Sequence, residues 1–174
     1  MKPLSVIAIA LSLLVAGCGD DSSTPNNPSP SQNPIFTATL SPANEVPPIT
    51  NAESTVSGTV TVTMNTTRDS AGNVTSASAT FAVTLGGFPA GSTVTVAHIH
   101  PGAAGTNGSP VVNLALQPGE VTVANGLSSF TKSNISVQPA TANQIIANPA
   151  AFYFNVHSTL NPGGFARGQL VKTN

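Results

Sequence analysis

The sequence predicts an all-β fold: an antiparallel, Greek-key-like β-sandwich of about eight strands with one short helix. Three observations lead there. Short runs rich in Val and Thr alternate apolar with polar residues, at a spacing of roughly 8–12 residues. The chain has fifteen glycines and fifteen prolines, and many of them fall between those runs as turns. Charged residues make up only 6% of the chain, against about 25% in an ordinary soluble protein.

The first stretch is not part of that fold. Met1-Lys2 gives a short positive start, Leu4 to Val15 is apolar, and Ala16-Gly17 are small. The run falls short of the ~20 residues a membrane-spanning helix needs, so residues 1–17 are expected to be a signal peptide. The chain's one cysteine follows at Cys18. An intrachain disulfide and thiol catalysis in a folded domain are both excluded by that position and count. Residues 18–34 (Cys-Gly-Asp-Asp-Ser-Ser-Thr-Pro-Asn-Asn-Pro-Ser-Pro-Ser-Gln-Asn-Pro) contain no large apolar residue. Such a segment cannot repay the entropy of ordering, and it is expected to be a disordered, proline-stiffened tether.

The domain is expected over residues 35–174, a length that supports one self-standing core. Ile35 to Leu40 alternates and reads as a strand, and Ser41 to Ile49 is a proline-rich loop containing Glu45-Val46-Pro47-Pro48. Ser57 to Met64 is a strand with Val60, Val62 and Met64 inward; a hairpin turn over Asn65 to Asn73 leads to a long strand, Val74 to Leu85, with Phe81, Val83 and Leu85 on one face. Val94 to Pro101 is a strand carrying two of the three histidines. Because strand side chains alternate, His98 and His100 share one face and Ile99 takes the other. Pro101 to Pro110 is a glycine-rich loop. Short strands are expected at Val111 to Leu116, at Gly119 to Val123 and around Ser129 to Thr131. Ala140 to Asn148 is the short helix, and Phe152 to His157 and Phe165 to Val171 are the last strands, split by a turn at Asn161-Pro162-Gly163-Gly164.

Several function classes fall away. A net charge of −1 gives no electrostatic footprint for nucleic acid. The Gly102 to Gly108 loop lacks the following Lys-Ser/Thr of a phosphate cradle. With three histidines and few acids, no nucleophilic triad can be drawn. The reading leans away from an enzyme without deciding it, and no catalytic residue is assigned.

Two resemblances add to this. Val15-Ala16-Gly17-Cys18 resembles the lipobox of bacterial lipoproteins. It implies that Cys18 becomes a multiply acylated (palmitate-type) N-terminus, held on a membrane by roughly 0.8 kcal/mol per buried CH₂. The expected location is the bacterial cell envelope, on the outer membrane or the periplasmic face. The second resemblance covers nearly the whole domain. Glu45-Val46-Pro47-Pro48, Ala97-His98-Ile99-His100 with Gly102 and Gly105 to Val112, Phe152 to Ser158, and Pro162 to Leu170 occur in the order found in the CHRD domain. Phe165-Ala166 stands where Glu-Ile is common in that family, which removes a possible partner for Arg167; Ser158 stands where Thr is common. The resemblance implies an extracellular β-sandwich module with no established reaction, serving as a binding or structural element for a secreted or envelope protein partner.

His98-Ile99-His100 plus the distant His157 is also similar to the copper half of Cu/Zn superoxide dismutases. The sandwich is thus expected to be immunoglobulin-like or Cu/Zn superoxide dismutase-like, and the Cys, Trp, Cys hallmark of the former is missing. No fourth histidine is present to bridge two metals. Two readings of the triad stand: a mononuclear copper or zinc site with dismutase-like redox activity as an extreme, or histidines that merely hydrogen-bond the backbone at a sandwich end. Asn155, Arg167 and Glu45 are candidate supporting residues. For Arg167 the alternatives are anion steering, an ion pair with Glu45, or hydrogen bonds to loop carbonyls.

Overall fold

A computed structural model describes residues 33–174. The expected signal peptide, lipidated Cys18 and most of the tether lie outside them. The described residues contain nine strands and one α-helix. Strands β1 (Ile35–Leu40), β2 (Ser57–Arg68), β3 (Val74–Gly86), β6 (Leu127–Val137) and β9 (Val171–Lys172) form one sheet, in the order β6-β3-β2-β1-β9. Strands β4 (Val94–Pro101), β5 (Val112–Asn113), β7 (Phe152–Ser158) and β8 (Ala166–Gln169) form the other, in the order β5-β4-β7-β8. All pairings are antiparallel. The expected sandwich is therefore the observed one.

Alternation explains the core. Phe36, Val60, Val62, Phe81 and Val83 point inward from the five-stranded sheet, and Ala97, Ile99, Phe154 and Val156 point inward from the other; all are buried. Phe81 and Phe154 meet across the layers with ring centroids 5.8 Å apart. The outward positions of β2 are threonines, in register with Thr37 and Thr39 of β1 and Thr80 and Thr84 of β3. Hydroxyls on β-branched residues solvate this face without charge, as the composition requires.

Helix α1 (Pro139–Ala147) packs on β3 and buries Ala142 and Ile145. Pro139 stands in its first turn, where a missing N–H is harmless, and Pro149 lies just beyond its end.

Three expectations change. The last run, Phe165 to Val171, is two strands rather than one. Ala166–Gln169 pairs with β7, Leu170 is fully buried between the layers, and Val171–Lys172 pairs with β1. The chain passes from one sheet to the other there, and a Cβ on Gly168 would strike the Thr39 carbonyl. Gly119 to Val123 is not a strand: Glu120 closes a turn by accepting from the Gln117 N–H and pairing with Lys132 of β6 at 2.7 Å. Of Val111 to Leu116, only Val112–Asn113 joins a sheet.

Candidate metal centre

The site lies on the face of the four-stranded sheet turned away from the core. On β4 that face carries His98 and His100. On β7 it carries Tyr153, Asn155 and His157, the residues alternating with inward Phe154 and Val156. The register sets His98 opposite Asn155 and His100 opposite Tyr153, while Arg167 of β8 pairs with Asn155 from the other side. The pairing of β4 with β7 thus brings together histidines 59 residues apart in sequence.

One ring nitrogen from each of His98, His100 and His157 lies within 4.8 Å of the other two. The closest approach is His98 Nδ1 to His157 Nε2, 3.3 Å. His100 and His157 are buried, and His98 is half-buried.

Backbone carbonyls fix which nitrogens are free. His157 Nδ1 lies 2.9 Å from the Pro162 oxygen, and His100 Nδ1 lies 2.8 Å from the Gly108 oxygen. A carbonyl only accepts, so each Nδ1 carries the proton and donates it. In the neutral ring Nε2 then holds the lone pair. His157 Nε2 can therefore only accept from His98, so His98 Nδ1–H is the donor across the 3.3 Å contact. His100 Nε2 is buried and makes no hydrogen bond. An orphaned buried lone pair is costly, and a metal ion is a partner that satisfies it.

The spacing of the donor set comes close to what one ion needs. At metal–nitrogen bonds of about 2.0–2.1 Å, two nitrogens on one ion stand at most about 4.2 Å apart. The 3.3 Å pair is already inside that limit, and the widest separation in the 4.8 Å cluster exceeds it by at most about 0.6 Å.

The surroundings of the three rings disfavour their protonation. Burial, then the neighbouring His157 and His100, push the His98 pKa down to about 4. Burial also lowers His100, opposed by its bond to Gly108 and aided by His157 and Arg167. His157 is lowered by burial, against the opposing bond to Pro162. Metal binding needs neutral imidazole, which is the form this environment favours.

Arg167 is 1% exposed. Its Nε donates to the Asn44 carbonyl, and its Nη1 donates to the Thr106 carbonyl and to Asn107 Oδ1. Its guanidinium lies 4.6 Å from the Tyr153 ring centroid, and Tyr153 stacks on His100 at 4.9 Å and 4°. Of the readings weighed for Arg167, hydrogen bonding to loop carbonyls is the one observed. Among the described residues the one ion pair is Lys132–Glu120, so Glu45 is not ion-paired with Arg167. Glu45 is buried, and burial pushes its pKa up to about 7 against the pull of the Arg167 charge. Glu45 Oε1, Asn155 Oδ1 and Arg167 Nη2 are buried without partners.

The sequence-predicted residues thus divide. His98, His100 and His157 converge, Asn155 and Arg167 share their face, Glu45 lies in the loop above Arg167, and Cys18 falls outside the described residues. The sequence does not single out Tyr153, or Glu53, which is buried and accepts hydrogen bonds from Ser158 and Asn161 beside His157. Two-residue alternation back from His157 puts Tyr153 on the ligand face, a usable signal. Glu53, an acid in a polar loop, carries none.

Fold and site together define a two-layer β module with a carbonyl-braced histidine triad on its outer sheet face. The chain belongs to the CHRD family: the model of the CHRD domain matches residues 36–170. No curated protein and no solved structure matches it.

Proposed function

We propose that this domain binds one transition-metal ion through His98, His100 and His157, copper in preference to zinc, on a rigid module held at the cell envelope by lipid on Cys18. The observation that carries the metal reading is convergence: three imidazole nitrogens within 4.8 Å, with the Gly108 and Pro162 carbonyls keeping the protons of His100 and His157 on Nδ1 and off Nε2. Imidazole suits both copper and zinc, and the Irving–Williams order favours Cu(II) where copper is available. Three protein ligands leave a coordination position open. A bound copper ion would supply Lewis acidity or a one-electron couple there. The chain's own part is to hold three neutral rings in place and to shield two of them from water. The anchor reading is supported by Val15-Ala16-Gly17-Cys18 and the polar tether that follows.

A second reading has one observation in its favour. The His98–His157 hydrogen bond satisfies two of the three ring nitrogens without an ion. On that reading the domain is a metal-free binding or structural module for an envelope partner.

The test is direct. The purified protein is incubated with Cu(II) or Zn(II), dialysed, and assayed for retained metal and melting temperature. The metal reading expects one copper per chain and stabilisation of about 2.7 kcal/mol at a hundredfold excess over Kd. No retained metal, or equal uptake by the H98A/H100A double variant, overturns it in favour of the metal-free module.

A further inference from the structure

We infer that Glu53 is a positioning residue for the metal centre: through Asn161 it holds the Pro162 carbonyl that fixes the tautomer of His157. This rests on the metal reading for its functional meaning, but its structural core is independent of any ion.

Glu53 lies in the loop before β2 and is 1% exposed. Its Oε2 accepts from the Ser158 hydroxyl at 2.6 Å and from Asn161 Nδ2 at 2.5 Å. Ser158 Oγ in turn accepts from the Asn161 backbone N–H at 2.9 Å, and Asn51 Nδ2 donates to Asn161 Oδ1 at 2.7 Å. The Asn161 carbonyl accepts from Ser158 N and Gly164 N. Asn161 is thereby held from its side chain, its N–H and its carbonyl. The next residue is Pro162, whose oxygen receives His157 Nδ1–H at 2.9 Å. A hydrogen-bond network this buried tolerates little slack, because each polar group left without its partner is costly.

The buried acid thus bonds to Ser158, the residue after His157, and to the turn that follows it. Without the Pro162 carbonyl in place, His157 is free to carry its proton on Nε2, the atom that faces His98. That tautomer has no lone pair for an ion at the site.

The experiment reads the His157 tautomer in metal-free protein by long-range ¹H–¹⁵N NMR, and then the Cu(II) affinity, for wild type, E53A, E53Q and N161A. Amide dispersion establishes that each variant is folded. Wild type should show a single Nδ1–H tautomer. E53A and N161A should show mixed tautomers and about 10–100-fold weaker copper binding, the usual range for losing an outer-shell partner. E53Q keeps an acceptor oxygen and should restore both. A role in stability alone would lower the melting temperature of E53A while leaving tautomer and affinity unchanged, and that result overturns the inference. Should E53A fail to fold, N161A and E53Q decide the matter by the same two readouts. If wild type retains no copper, the metal reading fails while the tautomer measurement still judges Glu53.

Discussion

His98 Nδ1 and His157 Nε2 face each other at 3.3 Å across neighbouring strands, one donating the proton that the other lacks. Two of the three candidate ligands, His100 and His157, are set by carbonyls to present lone pairs. His98 is the one ring whose proton stands in the way. For His98 Nδ1 to face an ion, its proton would have to move to Nε2 as the ring changes tautomer, so metal and the His98–His157 hydrogen bond exclude each other.

The lowered histidine pKa values make metal-free stability depend on pH. In the unfolded chain these rings protonate near the ordinary value of 6.5, whereas folded His98 resists protonation down to about 4. The unfolded state therefore binds more protons in that window, and stability falls as pH drops from about 6.5 towards 4. Denaturant titrations at pH 7.5 and pH 5 should show this loss, and it should shrink in a His98→Gln variant.

Glu45 acts in the opposite sense. Its carboxyl is raised to about 7 from an ordinary 4.5 by burial. Holding it ionised in the folded protein therefore weakens folding above pH 7, and the penalty fades as pH falls towards 4.5. Glu45→Gln should raise the melting temperature at pH 8 and change it little at pH 4.5. Matched thermal melts at the two pH values check this.

Arg167→Lys should destabilise the domain by about 2–3 kcal/mol, although the charge is kept. A lysine cannot reach Asn44, Thr106 and Asn107 together or stack on Tyr153 as the planar group does. Urea unfolding measures the loss. Copper binding should weaken too, because the 106–108 segment that Arg167 holds supplies the carbonyl bonded to His100.

Phe154→Ala tests the layer packing. Phe154 is fully buried and stacks on Phe81 between the sheets. Its truncation should cost about 3–5 kcal/mol in chemical denaturation. Because its neighbours Tyr153 and Asn155 sit on the site face, the same variant should also loosen the histidine cluster, seen as a weaker copper affinity.

The two-residue period of a strand made much of this legible. It put His98 and His100 on one face with Ile99 in the core, and Phe81, Val83 and Leu85 together. It could not pair β4 with β7, since nothing local joins residues some sixty positions apart; the CHRD resemblance gave their order but not their register. Alternation also misled. Gly119 to Val123 has strand-like residues, yet the Glu120 turn contacts decide its shape. The run from Phe165 to Val171 looks continuous, and the change of sheet at Leu170 depends on a close approach to β1 that leaves only a glycine at 168 as its trace. Glu53 was invisible because its importance lies entirely in what folds against it.

The proposed metal centre is tested most directly by electron paramagnetic resonance of the protein loaded with one equivalent of Cu(II). The account predicts a single copper species with splitting from three imidazole nitrogens, reduced when His157 is replaced by alanine. A spectrum of free or oxygen-ligated copper, or one unchanged in the His157 variant, would contradict it.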